Sequence, residues 1–531
     1  MKPAPLLATL ALIAAAPLFP QKPVSFQPDS SPDVVDPPNR VARLNWMTGD
    51  VSFQPAGLEE WTTATLNYPL TTNDHLFTDK DSRVELHIGP NVIRLDANSN
   101  FGFLNLDDNI MQMSLTDGSL EIRLRTLAPD DTVEIDTPNG AITLLSAGDY
   151  RIDTDALRDA TTVTVRSGAA ELYYGSTRVP VEARYTAYFQ TDQNPIIRSA
   201  NLYDDFDSFT EDRENKVRFD AYTPNPPRYS RRISDLYPDE VTVPDLVAEG
   251  MTGAEDLAMY GTWQNVIGVG SSWLPPVDAN WTPYSDGSWA YVQPWGWTWV
   301  DAAPWGFAPF HYGRWTHTAY GWAWVPGPKQ KTQVAYAPAL VTFIGGGPAD
   351  NVSWFPLGPR DQWTPPWRPR PDNVMPSRIS MTRQVPGAVL SMAPRDFISG
   401  ALGRPINGLM PEGQIIGSSP LVMPIQESVL VKPSRTRPPA FNRMLIVRTA
   451  PPAPPITFVA TIGLLALNQG RPVGPHQVDV TRRQLPGVVM PTVPVRMMGP
   501  LAPSRLTKPG PQKPQPASQS QGTRPVGMPP R

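Results

Sequence analysis

The chain of 531 residues contains no cysteine. This absence excludes a disulfide framework, a thiolate metal site and a cysteine nucleophile. Histidine is scarce: His311 and His317 have neither the spacing of a zinc-protease motif nor an obvious third ligand, so no metal site is predicted. Charged residues make up only 18% of the chain, whereas proline supplies 65 residues. The composition argues against one compact globule.

Signatures of catalysis are also missing. The sequence has no nucleophile elbow and no phosphate-binding loop, and the glycine run at Gly345 lacks the lysine that phosphate binding needs. No cofactor or catalytic residue is predicted. Asp286, Asp301 and Asp361 lie in an aromatic region, but each is as easily a turn residue. A glycan-active enzyme is therefore the least favoured alternative.

Long apolar runs are absent after the first residues. Leu6–Ala16 is an apolar run that follows a single lysine, which is typical of a secretory signal peptide and short for a membrane span. We predict a signal peptide over residues 1–20, with an uncleaved membrane anchor as the alternative. Residues 21–40 are rich in proline, serine and aspartate and are predicted to be a linker.

Short alternating segments follow. Val84–Ile88, Val133–Asp136 and Thr161–Val165 alternate apolar and polar residues, and turn signals such as Pro138–Gly140 separate such segments. Many short strands at even spacing predict an all-β sandwich, barrel or solenoid over residues 41–200.

Six pieces of this region carry a family resemblance. They are Gly49–Val51, Asn73–Leu86, Gly118–Ile122, Ile135–Gly140, Ala147–Ile152 and Val163–Gly168. Their order and spacing resemble the FecR domain of bacterial envelope proteins. The resemblance implies a periplasmic, partly solenoid-like β module that binds a partner or serves as a scaffold.

Tryptophan is concentrated in the next region, predicted as a second domain over residues 201–400. Of 16 tryptophans, 14 lie between Trp263 and Trp367. A pattern repeats within it: Gly287–Trp289 precedes Gly296–Val300, and Gly313–Trp315 precedes Gly321–Val325. Each unit is predicted to be a pair of strands joined by a turn, with the rings at i and i+2 on one face. An acidic segment, 204–215, is predicted to be a short helix at the entry to this domain.

The tryptophan-rich region also resembles an uncharacterised bacterial family that commonly follows FecR-like domains. The matching pieces include Tyr260–Trp263, Trp281–Trp289, Pro304–Pro309, His311–Trp315 and Trp354–Pro359. The resemblance implies an envelope setting and an architecture, and brings almost no function with it.

Two interpretations of the tryptophans remain open. The favoured one is that the rings form a core, because clustered aromatic residues usually pack on one another. The other is an exposed stacking platform for a glycan, whose apolar ring faces suit indoles. The candidate ligand-binding residues for that platform are Trp295, Trp305, His311, Tyr312 and Arg314.

The last region, residues 401–531, is rich in proline and predicted to be largely disordered. From Asn373 onwards the net charge is +14, while the rest of the chain is near −19. Met444–Val447 and Phe458–Leu467 are predicted as short strands that dock locally. The basic tail is expected to contact anionic wall polymer, lipid head groups or the acidic first half, and not nucleic acid.

Together these patterns predict a mainly β protein with a FecR-like module, a tryptophan-rich hairpin module and a disordered tail. We expect a non-catalytic protein of the bacterial periplasm or cell surface that serves as a scaffold or binds envelope polysaccharide or an envelope protein. Membrane contact is expected only through an uncleaved signal segment or the basic tail. The main alternative is a component of an envelope-sensing system.

Overall fold

The structure is a computed structural model that describes residues 36–58, 60–191, 193–200, 203–222, 246–328, 334–345, 351–367, 380–398, 404–405, 414–417, 434–439, 443–452 and 495–498. The predicted signal peptide and most of the predicted linker lie outside these ranges, as does Phe458–Leu467. No helix within the described residues is long and apolar enough to cross a membrane. The chain is mainly β, as predicted.

Short strands fill the first module, residues 41–200. They are β1 Ala42–Thr48, β2 Val51–Gln54, β3 Thr62–Thr63, β4 Pro69–Leu70, β5 His75–Thr78, β6 Arg83–Ile88, β7 Asn91–Leu95, β8 Asn100–Leu106, β9 Ile110–Leu124, β10 Thr132–Asp136, β11 Ala141–Leu144, β12 Gly148–Asp155, β13 Ala160–Ser167, β14 Ala169–Tyr174, β15 Thr177–Glu182, β16 Tyr185–Gln190 and β17 Ile196–Ser199. Turn residues such as Asn73 and Gly89 adopt positive φ between strands, which asparagine and glycine tolerate best.

These strands pair into two sheets. Sheet 1 has the order β4-β1-β6-β7-β9-β12-β13-β16-β17 and is antiparallel throughout. Sheet 2 has the order β3-β2-β5-β8-β9-β10-β11-β14-β15, and its only parallel pair within the described residues is β9 with β10. The inward side chains of both sheets share one aliphatic core.

Strand β9 belongs to both sheets. Its first half pairs with β8 and β10, and its second half pairs with β7 and β12. The strand passes from one sheet to the other near Gly118, where φ is +90° and an added Cβ atom would lie 2.4 Å from the Ser99 Cα atom. Only glycine fits there without displacing backbone.

The outer face of sheet 1 is charged and nevertheless buried. Glu85 and Arg94 point away from the aliphatic core and have no exposed surface. Helix α1, Asp205–Tyr222, covers this face and is longer than the predicted helix 204–215. Its Phe209 ring lies 5.4 Å from the Trp46 ring, and its Arg213 donates a 2.7 Å hydrogen bond to Glu85. Charged and aromatic side chains together thus fill this layer.

The second module contains smaller sheets. Its strands are β18 Thr262–Val266, β19 Gly270–Leu274, β20 Gly287–Val292, β21 Gly296–Asp301, β22 Arg314–Thr318, β23 Gly321–Val325, β24 Val341–Gly345, β25 Val352–Pro356, β26 Leu390–Met392, β27 Arg404–Pro405 and β28 Gln414–Gly417. They form a four-stranded sheet (β18-β19-β23-β22), a hairpin (β20-β21) and a five-stranded sheet (β27-β26-β25-β24-β28). Short helices are α2 Asp256–Met259, α3 Ala308–His311 and α4 Pro394–Ile398.

The two predicted tryptophan hairpins are confirmed. Strand β20 pairs with β21 and β22 pairs with β23, and the rings at i and i+2 of β21 and β23 are all buried. The two hairpins belong to different sheets, however. A third hairpin, β18-β19, aligns Trp263 with Trp273 and was missed because its spacing departs from the repeat.

Part of the predicted tail contributes to the fold. Strands β27 and β28 complete the five-stranded sheet. Farther along, strand β29 Leu445–Val447 pairs in parallel with β30 Val495–Met497, which confirms the predicted strand at 444–447. Leu445 and Val447 pack on Leu104 of β8, so the basic tail contacts the acidic first module at the described positions.

Candidate ligand-binding cleft

Buried charges join the two modules. The Arg43 guanidinium of β1 has no exposed surface; its Nε atom donates to Asn67 Oδ1 at 2.9 Å, and Nη1 pairs with the Asp256 carboxylate at the start of α2. Burial raises the pKa of Asp256 to about 6, although the neighbouring Arg43 lowers it. The Arg43 Nη2 atom donates to the Pro304 carbonyl oxygen, so three separate groups hold this guanidinium and their relative positions are fixed.

His87 makes a second charged contact across the junction. Its ring nitrogens face the carboxylates of Glu85 on the same strand and Glu255 of the second module. Burial alone would lower the pKa of His87, but these two carboxylates outweigh it and raise the pKa to about 9. The imidazole is therefore protonated at neutral pH and bridges two acidic groups.

Neutral hydrogen bonds complete the junction. Asn67, which adopts φ +62°, donates from Nδ2 to the carbonyl oxygens of Asp301 at 2.9 Å and Ala303 at 2.7 Å. The Thr252 hydroxyl accepts the Gly89 N–H at 2.8 Å. The two modules are thereby held as one unit by polar contacts from several loops.

A cleft of about 160 Å³ opens at this junction. The first module supplies residues of β2 and β3, of the loops that follow these two strands, and Asp74 just before β5. The second module supplies the β20-β21 hairpin. The lining residues are Phe53, Pro55, Ala56, Leu58, Thr62, Thr63, Thr65, Tyr68, Asp74, Ser288, Trp289, Ala290, Tyr291, Val292, Gln293 and Val300.

Aromatic rings line much of the cleft. The Phe53 and Tyr68 rings lie 4.7 Å apart, and Tyr291 packs edge-on against Trp297 at 5.7 Å. Tyr68 contacts the aliphatic core of the first module and the aromatic core of the second. Flat apolar walls of this kind suit the faces of a ring-shaped ligand.

The polar groups of the cleft include one buried carboxyl. Asp74 accepts the backbone N–H groups of Ala56 and Thr71, each at 2.7 Å. Burial raises the pKa of Asp74 to about 7, although these hydrogen bonds lower it. The carboxyl shapes the loop after β2, and it retains lone pairs for a further donor because a carboxylate accepts about four hydrogen bonds.

Two buried donors of the lining have no protein partner. They are the Gln293 side-chain nitrogen Nε2 and the Trp289 indole nitrogen Nε1, neither of which finds an acceptor within the described residues. A buried donor without a partner costs about 1–3 kcal/mol. A ligand with acceptor oxygens would offset that cost. A cleft at this position could not be predicted from the sequence, because its two walls are more than 200 positions apart.

The predicted exposed platform is wrong for its aromatic residues. Trp295, Trp305 and Tyr312 are buried, with 1%, 4% and 3% of their surface exposed. Each is engaged: the Trp295 indole donates to the Pro38 carbonyl oxygen at 3.2 Å, the Trp305 ring lies 5.2 Å from Trp273, and the Tyr312 carbonyl accepts from Trp324. The physical reason is that apolar rings pack on one another when enough of them are present.

The two basic candidates are also occupied. His311 is fully buried, contacts the Ala337 carbonyl oxygen through Nδ1 at 2.8 Å, and has a pKa lowered to about 3 by burial. Arg314 is half-buried and donates to the Gly313 carbonyl oxygen at 2.7 Å. His311, Tyr312 and Trp295 come together around the Tyr336 ring, inside the core. The favoured interpretation of the tryptophans as a core is confirmed.

The three aspartates considered as paired carboxylates serve turns or are exposed. Asp301 accepts the Trp299 indole N–H and the Ala303 N–H, and Asp361 accepts the Gly358 N–H. Asp286 is exposed.

Comparison with known proteins gives a family match for the second module. A family of unknown function, DUF6600, matches residues 254–361, within the region that resembles an uncharacterised family. No curated protein matches the chain.

Two crystal structures of a putative anti-sigma factor from Parabacteroides distasonis are weakly similar. Both have 10% sequence identity and a TM-score of 0.22. The aligned parts cover 24% and 31% of this chain, and 60% and 72% of those chains. The chain thus spans less than two thirds of the first of these structures.

Proposed function

We propose that this chain is a non-catalytic binding protein of the bacterial envelope whose junction cleft holds one sugar ring of an envelope polysaccharide. The proposed location rests on the apolar run Leu6–Ala16 and on the resemblance to FecR domains. The observation that carries the binding role is the cleft itself, which both modules line and whose lining residues Trp289 and Gln293 each have a buried donor without a partner in the described residues.

The size and walls of the cleft favour a six-membered ring. An apolar cavity of roughly 150 Å³ accommodates one benzene molecule, and this cleft measures about 160 Å³. Aromatic side chains offer flat surfaces for the apolar face of a sugar. Hydroxyl groups of the sugar would accept from the Gln293 amide and donate to the Asp74 carboxyl.

The surroundings of the acidic residues support a non-catalytic role. Asp74 is held by two backbone N–H groups, and Asp301 and Asp361 are each bound to neighbouring donors. Glycoside cleavage needs two carboxyl groups that flank the scissile bond about 5–9.5 Å apart. The cleft lining contributes the single carboxyl of Asp74.

Calorimetric titration with a peptidoglycan-derived disaccharide tests this proposal. Tyr291→Ala and Gln293→Leu should each weaken binding about fivefold to tenfold, because one removes a stacking face and the other a hydrogen bond. Tyr320→Ala is the matched control, since Tyr320 is 73% exposed at the turn between β22 and β23, away from the lining. Equal affinities of the wild type and the three variants would overturn the proposal. It would also be overturned if the wild type bound neither this disaccharide nor neutral hexose oligomers.

A further inference from the structure

A segment of the basic tail lies across the outer face of sheet 2. We call residues 443–449, Arg-Met-Leu-Ile-Val-Arg-Thr, the strap. Leu445 and Val447 of the strap are fully buried and form a small cluster with Leu104 of β8. Because side chains alternate along an extended strand, residues i and i+2 enter the groove together.

Glu134 of β10 binds the strap backbone. Its Oε1 atom accepts the N–H groups of Arg448 at 2.8 Å and Thr449 at 3.0 Å, and its Oε2 atom accepts the Thr449 hydroxyl at 2.6 Å. Glu134 has no exposed surface. A carboxylate buried in this way is costly unless donors compensate it, and here the strap supplies three of them.

Further contacts fix the direction of the strap. The Gln112 amide donates to the Thr449 carbonyl oxygen at 2.8 Å, and the Ile446 N–H donates to the Thr137 carbonyl oxygen at 3.1 Å. The groove thus forms hydrogen bonds with the backbone of several strap residues, as sheets do when they bind extended peptides.

The two arginines set the charge preference. The Arg448 guanidinium lies 4.8 Å from the centre of the Tyr173 ring, and Arg443 forms an ion pair with Asp159. The groove is acidic and the strap is basic, in line with the opposite net charges of the two parts of the chain.

The strap is joined to the second module by a long stretch of sequence. Sixteen residues separate Gly417 of β28 from Ser434, the next described residue, which itself bonds to Trp61 and Ser52 of the first module. Sixteen residues can span at most about 55 Å. Such a connection allows the same contacts to form within one molecule or between two copies.

We propose that the outer face of sheet 2 is a peptide-binding groove for the basic strap sequence, filled by the strap of the same chain and able to accept the strap of a second copy. The groove recognises two apolar residues at i and i+2 with an arginine on either side. It also binds the backbone N–H groups of the second arginine and of the residue after it. This site lies on a different sheet face from the charged junction and does not depend on the function of the cleft.

The first experiment uses a fluorescent peptide of residues 441–452. Anisotropy titrations would compare the full chain with the full-length double variant Leu445→Asp/Val447→Asp, whose own strap cannot enter the groove. The peptide should bind the double variant at least tenfold more tightly than the wild type, in which the groove is filled. A peptide carrying the same two aspartates is the control and should not bind. Failure of the natural peptide to bind a double variant with native circular dichroism would overturn the proposal.

A second experiment tests exchange between copies. Glu134→Lys disables the groove, because it places a cation beside Arg448 and removes the acceptor of three hydrogen bonds. This variant retains its strap, and the strap double variant retains its groove. A mixture of the two should therefore form a 1:1 complex, which light scattering detects. Neither variant should self-associate. Absence of the complex while the peptide still binds would overturn the exchange between copies.

Discussion

The hydrophobic cores of the two modules consist of different kinds of side chain. The first module buries aliphatic side chains between two long sheets, whereas the second packs indole rings between short hairpins. Aliphatic side chains need only volume, but an indole also carries an N–H group that needs an acceptor. For two rings of the second module, main-chain carbonyl oxygens meet this need: Leu257 of α2 accepts from Trp273 at 2.9 Å, and Tyr312 after α3 accepts from Trp324 at 2.8 Å.

In the second module the indole N–H groups of Trp273 and Trp324 thus bind main-chain carbonyl oxygens next to the core. The first module depends instead on ladder hydrogen bonds and on the alternation of its strands. The junction between the two modules differs from both cores, because buried charged side chains hold it together.

The largest expected effect comes from removing one indole. Trp273→Ala should lower the free energy of unfolding by about 3–5 kcal/mol, because the ring is fully buried and leaves a large cavity. Ile122→Val in the aliphatic core should cost only about 0.5–1.5 kcal/mol. Urea denaturation followed by circular dichroism measures both. Similar losses for the two variants would contradict the distinction between the cores.

An intermediate effect is expected at the junction. The pKa of His87 is raised above its unfolded value, so its contribution to stability is fully present below about pH 6.5 and is lost as the pH rises through about 9. The advantage of the wild type over His87→Gln should therefore fall by up to about 3 kcal/mol between pH 6.5 and 9.5.

Denaturation curves for the two proteins across that pH range measure this change. The His75→Gln variant serves as the control, because burial lowers the pKa of His75 to about 4 and leaves it neutral throughout. A pH-independent difference between the wild type and His87→Gln would show that His87 contributes through packing alone.

The smallest expected effect is a difference in the free energy of unfolding between variants of two neighbouring tryptophans. Trp315 and Trp324 face one another on β22 and β23, and both are fully buried. The Trp324 indole donates to Tyr312, whereas the Trp315 Nε1 atom has no acceptor within the described residues. Trp324→Phe should therefore cost about 1 kcal/mol more than Trp315→Phe, because it alone leaves a buried carbonyl unpaired. Thermal unfolding of the two variants checks the order.

Local patterns predicted the strands but not what covers them. Val84–Ile88 and Val133–Asp136 were read correctly as strands from their alternation. The same alternation marks Glu85 and Glu134 as solvent-facing, yet both are fully buried. Helix α1 and the junction cover the first, and the strap covers the second. The residues of α1 and of the strap that cover these two side chains lie more than 100 positions away in the sequence. An alternating pattern contains no information on such distant partners.

The candidate site was harder to predict for the same reason. The sequence drew attention to Trp295 and Trp305 because they fall outside the repeating pairs, but enough neighbouring rings surround them to bury both. Gln293 and Asp74 gave no signal, since their importance depends on how a turn of one module meets a loop of the other. The hairpins themselves were predictable because glycine and tryptophan recur at fixed spacing.

The position of Arg43 in the chain has a consequence for biosynthesis. Its Nη2 atom donates to the carbonyl oxygen of Pro304 at 2.5 Å, a residue made 261 positions later. At about 5–20 residues per second, a ribosome needs roughly 13–52 s to extend the chain over that interval. During that time Arg43 lacks both Asp256 and Pro304, the groups of the second module that bind its guanidinium in the folded chain. Water must therefore solvate this cation until both partners have been made.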